Sequence, residues 1–178
     1  MHPFRQGLLE GRAIAISGAI PHEVLDLLRT LGARVSELDP GLAGDEDAPA
    51  LDSLVCGPGS AAADEYGPRA PLEHEWAAVS TAANASFIPA RRGRIVLLAS
   101  RPGELRHAEP ARAALENLAR TLSVEWARFG ITTVAVTPGA ATSDDELARL
   151  VAFICSPAGS YFSGCRFDLG LLERETRI

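Results

Sequence analysis

Short apolar runs ending at glycine or proline alternate along this chain with stretches of three-and-four periodicity. Residues 13–17 (Ala-Ile-Ala-Ile-Ser) form such a run and predict a buried strand. Pro21 opens the next helix at its first position, where a missing N–H is tolerated. Val24, Leu25, Leu28 and Leu31 make its apolar stripe, and Gly32 closes it. Residues 34–38 and 53–56 predict two more strands, separated by a loop over 40–51 rich in Pro, Gly, Ala and Asp. Residues 59–71 read as a small-residue loop and 73–86 as a helix. Residues 94–99 predict a fourth strand whose run from Ile95 to Ala99 is continuously apolar, as central parallel strands are.

The strongest helix is predicted over 110–128. Ala111, Ala114, Leu115, Leu118, Leu122 and Trp126 repeat at three and four, Glu116 pairs with Arg120, and Gly130 stops it. Residues 132–136 predict a fifth strand. Ser143 with Glu146 is a capping box for an amphipathic helix carrying Leu147, Leu150, Val151 and Ile154. Phe167 and Leu169 belong to a last strand. This alternation implies an α/β fold of Rossmann-like type: a doubly wound parallel sheet with helices on both faces, reduced in size. Residues 1–178 read as one domain without repeats or linkers.

Composition narrows the functions. An apolar content of 47% is that of a soluble globular chain, and a net charge of −6 argues against nucleic acid or an anionic membrane as partner. The acidic clusters at 45–47 and 144–146 read as a loop and a helix start. Cys56, Cys155 and Cys165 lack metal-ligand spacing and read as buried thiols, so no metal site is expected. No run of signal-peptide or membrane-span length stands near Met1 or elsewhere, and a cytoplasmic protein is expected.

Three motifs in order carry a family resemblance. Gly93 to Ser100 is a strand ending in serine; Val136-Thr137-Pro138-Gly139 is a strand ending in a Pro-Gly turn; Phe153 to Gly164 reads Phe-Ile-Cys-Ser-Pro-Ala-Gly-Ser-Tyr-Phe-Ser-Gly. The chain resembles the short-chain dehydrogenase/reductase family, in particular ketoacyl-carrier-protein reductases, from about Gly11 to Gly170. The resemblance implies a catalytic serine at Ser100 and a nicotinamide-side turn at Pro138 and Gly139. It also implies a tyrosine four residues before a lysine, where this chain has Ala108 and Arg112. Alanine can transfer no proton, and Arg112 has no phenolate to stabilise. Arg112 reads either as a ribose or phosphate contact or as a solvated, ion-paired helix residue. His107 reads as a replacement acid or as an exposed loop histidine.

The cofactor elements depart further. The family's glycine-rich first turn is Ser17-Gly18-Ala19-Ile20-Pro21 here, about three residues short with one glycine left. Asp39 stands where relatives bind the ribose hydroxyls, or simply forms a turn before Pro40. Of the family's Asn-Asn-Ala-Gly only Gly59 matches, and the family asparagine falls near Ala83, one residue from Asn84. Against a typical member the chain lacks the helix-strand-helix between Val35 and Leu54, most of the active-site loop before Ala108, and the lid after Gly139. What it keeps is the central strands, the helix from Pro110 and the C-terminal segment, which in the family pack between subunits.

The expectation is a catalytically degenerate subunit. It holds no cofactor itself and assembles with a full-length active member that binds NAD(H) or NADP(H); a homo-oligomer is the other assembly. Two alternatives stand: an NAD(P)-dependent oxidoreductase using Ser100, Arg112 and His107, and a module binding a nucleotide or other small molecule through Gly18, Asp39 and Arg112.

Overall fold

The strand runs are apolar without interruption because both of their faces are covered. In the computed structural model, which describes residues 4–38, 50–58 and 69–170, six parallel strands form one sheet in the order β2-β1-β3-β4-β5-β6. They are β1 Ala13–Ser17, β2 Arg34–Glu37, β3 Ser53–Cys56, β4 Gly93–Leu98, β5 Ile131–Thr137 and β6 Arg166–Asp168. Side chains alternate between faces along a strand. Ile14, Ile16, Val55, Val96, Leu98, Val134 and Val136 enter one core, and Ala15, Leu54, Cys56, Ile95, Leu97, Ile131 and Ala135 the other. The register from Gly93↔Ile131 to Leu98↔Val136 holds the two long central strands together.

Helix α1 (His22–Thr30) and helix α4 (Asp144–Cys155) cover the first face. Val24, Leu28, Leu147, Ala148, Val151 and Ala152 are buried between them and the sheet. Helices α2 (Arg69–Ala82) and α3 (Ala108–Glu125) cover the second. The doubly wound arrangement expected from the alternation is therefore present.

Boundaries differ where proline or alanine misleads. Pro21 is the N-cap of α1, so His22 is the first helical residue. Helix α2 begins at Arg69 rather than 73 and runs into a π turn, Ala83–Phe87, and a short helical turn, Ile88–Ala90. Pro89 does not end this run, because it sits in the first turn of the last piece, where its missing N–H is tolerated. Helix α3 starts two residues before Pro110 and ends at Glu125. Its buried stripe is Ala108, Ala111, Leu115, Ala119 and Leu122, while Ala114 and Leu118 are half-buried. Alanines, not the largest residues, face the sheet and allow close approach. Cys56 and Cys155 are buried as expected, but Cys165 is only partly so, because it precedes the edge strand β6. Among the described residues no helix is long and apolar enough to cross a membrane.

The capping box is formed. Ser143 Oγ accepts from the Glu146 backbone N–H at 3.3 Å, and the Ser143 N–H donates to Glu146 Oε2 at 2.9 Å. Ser143→Ala should cost about 1 kcal/mol in urea denaturation. Unchanged stability would mean that tertiary contacts alone hold the start of α4.

Candidate active site

In open α/β sheets ligands bind outside the carboxyl ends of the strands, where the strand order reverses. Here the chain passes from β1 outward to β2 and returns on the other side of β1 as β3, so the reversal lies between β1 and β3. At that point two turns meet backbone to backbone. Gly18 has φ +76°, and a Cβ on it would lie 2.4 Å from Gly57 O; a Cβ on Gly57 would lie 2.3 Å from Ala19 O. Ala19 N donates to Pro58 O at 3.0 Å, and Gly57 N to Ser17 O at 2.8 Å. These two amides are spent on carbonyls, and Pro21 contributes none.

A cleft of about 320 Å³ remains beside this junction, lined among others by Ile20, Pro58, Ala99, Arg101, Glu104 and Pro138. Arg101 is its most strongly held charge. The guanidinium pairs with Asp144 and, at 3.2 Å, with Glu104, and donates to Thr142 O at 3.1 Å. The bond to Asp144 is the main reason that its pKa is raised. Arg101 stands next to Ser100 in the sequence, yet nothing in a lone Arg-Pro-Gly marks it as a cleft residue.

Ser100, Ala108 and Arg112 converge at the ends of β4 and β5, but none of them lines this cleft. Ser100 is 4% exposed, with an Oγ that finds no hydrogen-bond partner. Ala108 is 3% exposed. Arg112 Nη1 donates to Ser100 O at 2.9 Å and Pro138 O at 2.7 Å, and its Nε lies 3.7 Å from Glu109. Arg112 is thus ion-paired rather than solvated, with two backbone carbonyls as further partners. Its side chain is 13% exposed and clasps two strand ends. Pro138 and Gly139 are buried, and the Gly139 N–H donates to Thr142 Oγ1 at 2.8 Å. His107 is the N-cap of α3 without a side-chain capping bond and does not line the cleft. Ala83 is buried at the start of the π turn, and Asn84 is exposed. Gly18 does not line the cleft, although Ala19 and Ile20 after it do. Asp39 and Gly59 lie outside the described residues.

One group with no signature in the sequence is Glu75 on α2. It is 2% exposed, its Oε2 has no partner, and burial pushes its pKa up to about 8. Cys56 at the end of β3 is 1% exposed; burial first, and the neighbouring Glu75 second, push its thiol pKa up. Ser17 Oγ and His74 Nε2 are 3.4 Å apart nearby. At neutral pH the acid and the thiol both keep their protons, which suits a packed interior.

No protein-family model matches the chain, and no curated protein sequence matches it. Solved structures do. Hydroxysteroid dehydrogenase from Escherichia coli superposes with a TM-score of 0.73 at 18% identity, over 92% of this chain and 97% of that one. A citronellol catabolism dehydrogenase of Pseudomonas aeruginosa gives 0.72 at 22%, over 94% and 97%. The 2-keto-3-deoxy-D-gluconate dehydrogenase of Streptococcus agalactiae gives 0.71 at 15%, over 95% and 96%. The fold is that of the short-chain dehydrogenases/reductases. Within that fold Ala108 and Arg112 occupy one end of α3 beside Ser100, so the motif alignment and the geometry concern the same corner of the molecule.

Two outcomes follow. Glu75 is neutral in the folded state up to about pH 8 but ionises near 4.5 when unfolded, so its favourable contribution is complete below about 4.5 and is lost as pH rises toward 8. Glu75→Gln should therefore raise the melting temperature at pH 8, with little effect at pH 4; an equal effect at both would exclude a buried neutral acid. Arg112→Gln should cost about 2 kcal/mol or more in denaturant unfolding, as loss of charge-assisted bonds to two buried carbonyls requires.

Proposed function

We propose that this chain is a catalytically degenerate subunit of short-chain dehydrogenase fold. In this reading it assembles with a full-length, active oxidoreductase of the same fold and supports that partner's structure or substrate site. The observation that carries the proposal is the corner at Ala108. The proton-donor position holds a buried alanine, the adjacent Ser100 is covered, and the Arg112 guanidinium is engaged by backbone carbonyls. With no phenol, and with its cation already committed, this corner has no group to move a proton to or from a carbonyl oxygen.

The cofactor side points the same way. A pyrophosphate in the usual pose needs free turn amides and room for its oxygens. At Gly18 and Gly57 the amides of Ala19 and Gly57 are bonded and the backbones are in contact. The residues present do not fit the dinucleotide there, so NAD(H) or NADP(H) is assigned to the partner.

The assembly half of the proposal is supported by the outer surface. Pro110, Ala113, Asn117, Thr121 and Val124 are all exposed on α3, at intervals of three and four, and none is charged. Val124 is 76% exposed. Solvent-facing helix stripes ordinarily carry charge. Trp76 on the neighbouring α2 is 47% exposed and stacks on Trp126 with ring centroids 6.4 Å apart. A matching helix pair from a second chain of this fold suits this neutral surface better than water does.

Co-expression with a complete member that has the tyrosine and lysine, pulling down on a tag on this chain alone, should recover a stoichiometric complex binding NAD(H) or NADP(H) at half the number of chains. Val124→Glu should abolish recovery while leaving the isolated chain's melting temperature unchanged. Cofactor binding and turnover by this chain alone would overturn the proposal.

A further inference from the structure

A second cavity, of about 360 Å³, opens at the opposite end of the sheet, among the amino ends of the strands. Its wall includes Arg12 just before β1, Asp52 and Ser53 at the start of β3, Arg92 and Arg94 at the start of β4, and Thr132 in β5. Three guanidinium groups thus face one carboxylate. Both oxygens of Asp52 are engaged: Oδ1 accepts from Arg12 Nη1 at 3.0 Å, and Oδ2 from the Ala13 N–H at 3.0 Å. Arg92 reaches Asp52 only at 3.8 Å. Cys155, which also lines the cavity, is a neutral thiol, its pKa raised to about 12 chiefly by burial, and so brings no compensating charge.

Arg94 sits deepest. Its Nη1 donates to Ile154 O at 2.5 Å and to Ser156 O at 2.7 Å, the carbonyls at the end of α4. Closing a helix C-terminus accounts for that nitrogen. It does not account for Nε of the same side chain, which is buried with no partner, nor for Thr132 Oγ1 in the same wall, also buried and unpartnered. Unpaired buried donors are costly and uncommon, and here two stand in one cavity with two positive charges in excess.

We propose that this cavity binds a phosphate dianion, either as inorganic phosphate or as the phosphoryl group of a small phosphomonoester. Guanidinium forks match phosphate oxygens in geometry and charge. Arg94, held rigid by the two α4 carbonyls, supplies the fixed donor. Arg12 and Arg92 supply the remaining charge from the rim. The volume exceeds that of a phosphate group and leaves room for the alcohol of an ester. The site lies at the other end of the sheet from the corner at Ala108 and does not depend on what that corner does.

The test is a titration of the full chain with inorganic phosphate and, separately, with phenyl phosphate, each against sodium chloride at matched ionic strength. Melting temperature and the amide resonances of Gly93, Gly130 and Thr132 are the readouts. A saturable rise in melting temperature with shifts confined to these amides is expected. Arg92→Gln and Arg12→Gln, changes at partly exposed rim positions, should each weaken binding at least tenfold, while Arg149→Gln, on α4 outside the cavity, should leave it unchanged. Tighter binding of phenyl phosphate would point to an ester, and equal binding to the free ion. Chloride reproducing the effect, or affinity unchanged in Arg92→Gln, would overturn the proposal.

Discussion

The carboxyl end of the sheet is governed by the contact between the backbones of Gly18 and Gly57. A parallel sheet whose strand order reverses leaves a crevice at the reversal, and in nucleotide-binding versions of this architecture that crevice is kept open by a glycine-rich loop. Here the loop after β1 is short, and its only glycine lies against the turn after β3, close enough that neither position could carry a Cβ. Two reciprocal amide-to-carbonyl bonds seal the junction. The glycine here admits a neighbouring backbone. A conserved-looking residue type can thus serve closure as readily as binding, and only the partner of its amide tells which.

Arg112 repeats this logic on the other side. A lysine there would offer a compact charge on a flexible stem; the planar arginine reaches two carbonyls from one nitrogen and joins β4 to β5 beyond their last register pair. Ala108 then packs where a phenol would need space, and the unpartnered Ser100 hydroxyl is left beneath. With alanine at 108, the strand-end carbonyls and the Ser100 hydroxyl are buried polar groups in need of partners. The arginine meets that need for two carbonyls and leaves one hydroxyl unmet.

Much of the fold was legible because both faces of the sheet are covered. Continuous apolar runs at 13–16, 54–56 and 95–99 then mark strands with little ambiguity, and the Ser143–Glu146 pair marks the start of α4. The face of α3 was less legible, since alanines at 108, 111 and 119 are apolar enough for either side and only close packing on the sheet selects them. The extension of α2 past Ala82 was hidden by Pro89, which local rules treat as a stop. At the site, the resemblance pointed to Ser100, Ala108 and Arg112, and these do stand at one corner of the fold. The clasp by Arg112, the buried acid at Glu75 and the engagement of Arg101 could not be read from the sequence, because each depends on contacts between residues distant in the chain.

The two ends of the sheet differ in how their polar groups are satisfied. At the carboxyl end, Arg101 and Arg112 are met by carboxylates and carbonyls of the same chain, and the turn amides of Ala19 and Gly57 are bonded to each other's loops. At the amino end, Arg12, Arg92 and Arg94 surround one aspartate, and a guanidinium Nε and a hydroxyl remain unmet. Among the described residues unmet buried groups stand at both ends, Ser100 Oγ and Glu75 Oε2 at the carboxyl end among them, but only at the amino end does a guanidinium nitrogen lie unmet beside excess positive charge. Ligand chemistry on this scaffold is expected where the chain leaves charge and donors open. On that criterion the amino end of the sheet, with three guanidinium groups around one carboxylate, is the more open to an anion.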